Sequence, residues 1–324
     1  MVRLRRSDAT GKGYTRKRSG KGWTYLDSDG NRVTDKALRA RMEHLGIPPA
    51  WTDVWIAPYE NGHVQATGMD SAGRRQYIYH PTWREQKDRI KFDRALQLAE
   101  SLPSARRQVT MHLRQDGYTR ERALAAGFRM LDTGSLRVGS ERYTESNGSH
   151  GLSTLLCSHV TIHDDTVHLE FPAKSGQEWS SDIRDADLVA AIEGLQRRGP
   201  NARLLAYEDE DEGEWHPLGA ADINDYVRER TGGEFTAKDF RTLHGTVAAA
   251  ISLAKHGPEA TKGKRQRALA QAYRDASEVL SNTPTIAKNS YVDPRLVDEY
   301  AHGRTIDPQR LGSGETELRN LLFR

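Results

Sequence analysis

Apolar positions in the first eighty residues fall in short runs rather than at helical spacing. "WTYLDSDGNRV" (23–33) puts aromatic and aliphatic residues on both sides of Asp29-Gly30, a pair suited to a tight hairpin turn. "TDKALRARMEHLGIPP" predicts one short helix, capped by Thr34 and stopped by Gly46, Pro48 and Pro49. "DVWIAPY", "HVQATGMD" and "RRQYIYH" predict three more strands, the last two joined through "DSAG". From Pro81 the period changes to that of a helix. "PTWREQKDRIKFDRALQLAESL" sets Ile90, Ala95, Leu98 and Leu102 near one face, and two further helices are expected in "PSARRQVTMHLRQ" and "TRERALAAGFRML". "STLLCSHVTIHDDTVHLEFPAKSGQEWSSDI" then reads as three strands, turning at Asp164-Asp165 and at Ser175-Gly176. After Asp185 the pattern is helical to the end. The fold class is α+β. A small, mainly-β N-terminal domain (1–90) precedes a larger, mainly-α domain (91–324) that contains a three-stranded β segment. No internal repeat is visible.

Length supports the two-domain reading, since 324 residues can fill two cores. A single cysteine, Cys157, excludes an internal disulfide and a four-cysteine zinc site, and its neighbours suggest a buried thiol. No segment approaches the ~18–20 apolar residues of a membrane span, and the N-terminus lacks an apolar signal core. The expectation is an intracellular protein of a reducing compartment. Net charge is only +3 but unevenly placed. Eight of residues 1–22 are Lys or Arg, against one acid, Asp8. Such an arm fits either a polyanion partner or a solubilising tail. "YEDEDEGEW" (207–215) holds six acids and reads as a solvated loop.

Four segments carry candidate chemistry. "TGSLRVGSERY" (133–143) sets Arg137 after a helix and a Gly-Ser break, and "FPAKSGQ" (171–177) sets Lys174 at a hairpin tip. "TAKDFRTLHGTVAAAISLAKHGP" (236–258) is a helix capped by Thr236 with Asp239 three residues on. Its buried stripe is Phe240, Leu243, Val247, Ile251 and Ala254. Arg241 lies one position off that stripe, at the rim of the core. "LSNTPTIAKNSYVDP" (280–294) starts one helix at Thr283-Pro284 and another at Asp293-Pro294, leaving Tyr291 at the break between them. Taken singly, each has a plain structural reading: a snorkelling arginine, a solvated lysine, a packing tyrosine.

In this order the segments resemble the type IB DNA topoisomerases, and most closely their compact poxvirus-like branch of viruses and bacteria. "SLRVGSERY", "GLSTL" (151–155), "KDFRT" and "TPTIAKNSY" fit that family's patterns, and the resemblance runs from about residue 20 to 303. It implies that Tyr291 is the nucleophile and that Arg137, Lys174 and Arg241 are catalytic. The fifth position, nine residues before the tyrosine, is a histidine in the poxvirus-type enzymes and Asn282 here. That change removes a group able to titrate near neutral pH. The resemblance also implies a clamp around duplex DNA and transient nicking through a 3′-phosphotyrosyl link, with no ATP, cofactor or metal. It implies a monomer that is cytoplasmic, at the bacterial nucleoid, or viral.

The chemistry agrees with the residue types. A phosphodiester attacked by a phenol gathers negative charge on its non-bridging oxygens, and two permanently charged guanidiniums can hold it from two sides. Asn282 can add a neutral hydrogen bond, and Lys174 can protonate the departing 5′-oxygen. Neither "ATGKGY" nor "RSGKGW" completes a phosphate loop. His159, His163 and His168 read as strand filler. Expected DNA contacts are the basic arm, Arg74 and Arg75, and the "KGKRQR" run with Lys262, Lys264, Arg265 and Arg267. In "QYIY", Tyr77 and Tyr79 share one strand face and Gln76 takes the other. They suit base contacts or, for the tyrosines, packing on the sheet. Two rivals remain. Tyrosine recombinases share the chemistry but usually carry His-x-x-Arg where this chain has Lys238-Asp-Phe-Arg241. The other is a non-catalytic duplex-binding protein.

Overall fold

The structure, a computed structural model, describes residues 3–323 other than 210 and 212. The chain divides into two compact units, Met1–Ile90 and Lys91–Arg324. In the first, β1 (Thr15–Ser19) and β2 (Gly22–Leu26) form an antiparallel pair. Helix α1 (Lys36–His44) follows, then β3 (Thr52–Ile56), β4 (Val64–Met69) and β5 (Arg75–Tyr79), a three-stranded antiparallel sheet in that order. Tyr25, Val33, Met42, Ile47, Val54, Ile56 and Ala66 make its core.

Two expectations change here. The turn at Asp29-Gly30 exists, with Gly30 N–H donating to the Asp27 carbonyl at 3.1 Å. The main hairpin, however, pairs Gly22–Leu26 with the preceding strand, so part of the basic arm is sheet rather than tail. Arg5 also exchanges backbone hydrogen bonds with Asn61 and His63 at 2.8 and 2.9 Å. Helix α1 is capped by Asp35 and not Thr34, since the Asp35 carboxylate accepts the Leu38 N–H at 2.8 Å.

Helix α2 (Pro81–Leu113) runs unbroken where two helices were expected. Pro103 lies inside it. A mid-helix proline costs about 3 kcal/mol, but Leu98, Leu102, Ala105 and Val109 keep one face buried across it and offset that cost. Next come α3 (Arg120–Gly134) and α4 (Glu141–Asn147). "STLLCSH" is not a strand but two short 3-10 turns, Leu152–Thr154 and Cys157–His159. β6 (Val160–His163), β7 (Thr166–Pro172) and β8 (Glu178–Arg184) form an antiparallel sheet in sequence order, followed by α5 (Ala186–Gln196). The stretch after Asp185 is not wholly helical, because β9 (Ala206–Glu208) and β10 (Trp215–Pro217) pair antiparallel. The acidic run forms their connection, and its residues 210 and 212 lie outside the described residues.

The chain ends in α6 (Ala220–Thr231), α7 (Ala237–His256), α8 (Lys262–Leu280), α9 (Pro284–Ser290), α10 (Pro294–Ala301) and α11 (Gly314–Leu322). Helix α7 joins two cores. Its Phe240 and Leu243 pack with α2, α3, α5, α6 and the β6–β8 sheet. Its Ala249, Ala250, Leu253 and Ala254 pack with Ala268, Ala272 and Ala276 of α8 and with α9 to α11. Cys157 is buried and unpaired, as its neighbours suggested. Among the described residues no helix is long and apolar enough to cross a membrane.

Candidate active site

The start of α7 is fixed by its cap. The Asp239 carboxylate accepts the Thr236 N–H at 2.8 Å and its hydroxyl at 3.0 Å, and also binds Arg94 at 3.0 Å. One residue past Phe240, which meets Phe128 edge-on at 5.3 Å, stands Arg241. It is not at a rim but only 2% exposed, because α7 is enclosed on both sides there. Its guanidinium donates to the carbonyls of Ser135 and Leu280, the latter at 2.8 Å. The guanidinium carbon lies 5.2 Å from the centre of the Tyr291 ring. Tyr291 follows the last residue of α9, a seven-residue helix begun by Thr283 and Pro284. Its carbonyl accepts the Thr246 hydroxyl at 2.8 Å, and that hydroxyl accepts the Asp293 N–H at 3.2 Å.

Arg137 occupies the loop between α3 and α4. That loop is pinned by the "GLSTL" segment. Leu152 N–H donates to the Arg137 carbonyl at 2.9 Å, and Ser153 N–H to that of Val138 at 2.7 Å. A β-carbon on Gly151 would sit 2.6 Å from Gly139 and 2.8 Å from the Arg137 carbonyl, so only glycine permits this approach. Arg137 then donates to the Asn282 side-chain oxygen at 2.8 Å. The Asn282 amide nitrogen is buried and, among the described residues, has no partner. Lys174 is exposed in the turn between β7 and β8. It lines an open cleft of 230 Å³ with Arg137, Ser140, Tyr143 and His150, its ammonium 6.0 Å from the Tyr143 ring centre.

Tyr291 and Arg241 alter one another. Burial pushes the phenol's pKa up, but the charges of Arg241, Arg137 and Lys238 outweigh it and hold the pKa below that of ordinary tyrosine. Burial, with the charge of Arg137, lowers Arg241 to about 10. It remains cationic at neutral pH. The site thus gathers fixed positive charge around a half-buried phenol, an arrangement suited to an anionic, five-coordinate phosphorus centre.

The expected DNA contacts are more varied. Tyr77 and Tyr79 are 46% and 44% exposed and stack on each other with ring centres 5.9 Å apart. Gln76 and Arg74 both donate to Asp70, at 2.9 and 3.0 Å, while Arg75 is exposed. On α8, Lys262 and Arg267 are exposed, and Lys264 lies 3.9 Å from Glu259. Arg265 is tied back to the carbonyls of Glu259 and Ala260 at 3.1 and 2.8 Å. Among the described residues one group could hold a metal: Asp132, His244 and Glu315, with ligand atoms within 4.8 Å of one another. Arg106 already binds both carboxylates, each at 2.7 Å, so a cation fills that place.

Sequence reasoning missed Ser135, Gly245 and Thr246. An added β-carbon on Gly245 would lie 2.9 Å from that of Tyr291, so this glycine admits the tyrosine segment against α7. A glycine inside a helix is costly, and that was the available signal.

Comparison with known proteins agrees with the geometry. Residues 80–303 match the family model of the eukaryotic DNA topoisomerase I catalytic core, and residues 22–70 that of the bacterial DNA topoisomerase IB N-terminal domain. DNA topoisomerase 1B of Acanthamoeba polyphaga mimivirus is 33% identical over 287 residues, 86% of this chain and 85% of the relative. DNA topoisomerase 1 of Mycosarcoma maydis is 25% identical over 62% of this chain and 22% of its own length. DNA topoisomerase 1B of vaccinia virus (strain Copenhagen) is 29% identical over 41% of this chain and 44% of its own. The chain belongs to the type IB DNA topoisomerase family.

Proposed function

We propose that this DNA topoisomerase I relaxes supercoiled duplex DNA by nicking one strand through Tyr291. The phenol oxygen attacks the scissile phosphorus as the bond to the 5′-oxygen breaks, leaving a 3′-phosphotyrosyl link and a free 5′-hydroxyl. The phenol proton leaves to water, and Lys174 gives a proton to the departing oxygen. Arg137 and Arg241 hold the non-bridging oxygens, and the unpartnered Asn282 amide donates to one of them. Rotation of the cut strand releases torsion. The 5′-hydroxyl then attacks the phosphotyrosyl bond and restores both partners. The link conserves the bond, so no ATP is consumed.

One observation carries this reading: Arg241 beside the Tyr291 ring, with Arg137 bonded to Asn282 two residues beyond the Leu280 carbonyl that holds Arg241. In the finer reading, the units close around duplex DNA, the enzyme acts as a monomer, and it works in the cytoplasm, at the nucleoid or in a viral setting. Residues 1–90 serve as a DNA-binding unit, with Tyr77, Tyr79 and Gln76 at bases and Arg74, Arg75, Lys262, Lys264, Arg265 and Arg267 at phosphates. Lys262 and Lys264 support the last point: cations in the first turn of α8 oppose the helix dipole, which favours anions there.

The test is plasmid relaxation in EDTA without ATP. Relaxation is expected. Gel retardation alone would indicate a binding module, and strand exchange between two DNA partners a recombinase.

A further inference from the structure

Two backbone carbonyls anchor the Arg241 guanidinium, and one of them has an unusual support. Ser135, just past α3, holds a left-handed backbone with φ 54° and ψ 25°. A residue bearing a β-carbon disfavours that region by about 1–2 kcal/mol. Its hydroxyl is hydrogen-bonded at 2.7 Å to Nδ1 of His244, one turn after Arg241 on the same helix. Serine and histidine therefore form a short cross-link from α7 to the end of α3, and the Ser135 carbonyl returns to α7 at Arg241.

His244 is itself held. It groups with Asp132 of α3 and Glu315 of α11, whose carboxylates are bridged by Arg106 of α2. Burial, aided by Arg106 and Arg241, outweighs the two carboxylates and keeps the imidazole's pKa below the ordinary histidine value. The ring is neutral at physiological pH, so Nδ1 and the serine hydroxyl can share one proton in a directional bond.

We propose that His244 is a positioning residue for DNA cleavage: by holding the Ser135 hydroxyl it fixes the carbonyl that keeps Arg241 beside Tyr291. The inference rests on the reading of Arg241 as a catalytic residue.

Single-turnover formation of the covalent adduct on a short duplex tests it, with duplex affinity measured alongside. His244→Leu is expected to slow adduct formation about tenfold or more while affinity stays within about twofold. His244→Asn, whose amide can occupy the place of Nδ1, should stay within about threefold of the parent. Ser135→Gly removes the hydroxyl yet takes the left-handed conformation freely, so it keeps the fold and should slow adduct formation as His244→Leu does. In an Arg241→Ala background His244→Leu should cause no further loss, since coupled residues are not additive. Undiminished cleavage in Ser135→Gly and His244→Leu, or an equal loss with and without Arg241, overturns the inference alone. Undiminished cleavage in Arg241→Ala overturns the reading of Arg241 and the inference with it.

Discussion

The two ends of the Asn282 amide differ. Its oxygen is used by Arg137, and its nitrogen has no partner. Among the described residues that buried donor is left unpaired, at a cost of about 1–3 kcal/mol. In the proposed mechanism a phosphate oxygen would accept from it without any change of protonation. Histidine can supply the same donor, and Asn282→His is expected to keep substantial cleavage activity. A loss beyond about a hundredfold, some 2.7 kcal/mol of barrier, would mean that asparagine does something histidine cannot. Another histidine gives a pH prediction. Burial first, and then the charge of neighbouring His150, lowers His159 to about 4. Its pKa is thus lower folded than unfolded, where an imidazole titrates near ~6.5. The stability it contributes is present above that value and falls as pH drops toward 4. Thermal melts should therefore decline between about pH 6.5 and 4, and His159→Gln should flatten the decline. An unchanged slope would contradict this assignment.

At the scale of elements, the parts read best from sequence were those governed by local rules. The caps at Thr236, Thr283 and Asp293 follow from residue type and spacing, and they place Arg241 and Tyr291 at helix ends. Pro103 misled because a proline normally marks a start, whereas the apolar face of α2 continues through it. β9 and β10 have three residues each, too few to show an alternation. What sequence could not reveal is how α7 receives its neighbours. Ser135, Gly245 and Thr246 act only between segments far apart in the chain. Gly245→Ala tests this. Alanine usually strengthens a helix, but here it would press on Tyr291 and on Leu280, 2.9 Å away. Adduct formation should slow by about tenfold or more, as small displacements of reacting groups do. An unaffected rate would show that the tyrosine segment moves freely on α7.

Across the whole molecule, the basic arm proves to be two things. Arg16 is structural: it donates to the carbonyls of Ile47 and Pro48 at 2.8 and 2.5 Å and lies 3.9 Å over the Trp23 ring. Arg16→Ala should cost about 1.5–3 kcal/mol of stability, the range for bonds from a charged donor, with little change in the salt dependence of DNA binding. Lys17 and Arg18 are exposed, and removing both should weaken binding chiefly at low salt. Measured unfolding and binding isotherms separate the two roles. Distant segments bring cations to a single phenol, Tyr291. The direct measurement is to denature the enzyme during plasmid relaxation, digest the trapped complex and locate the nucleotide by mass spectrometry. The account predicts a nucleotide joined through its 3′-phosphate to Tyr291, absent from Tyr291→Phe although that variant still binds DNA. A nucleotide on any other residue, or one joined through its 5′ end, would contradict it.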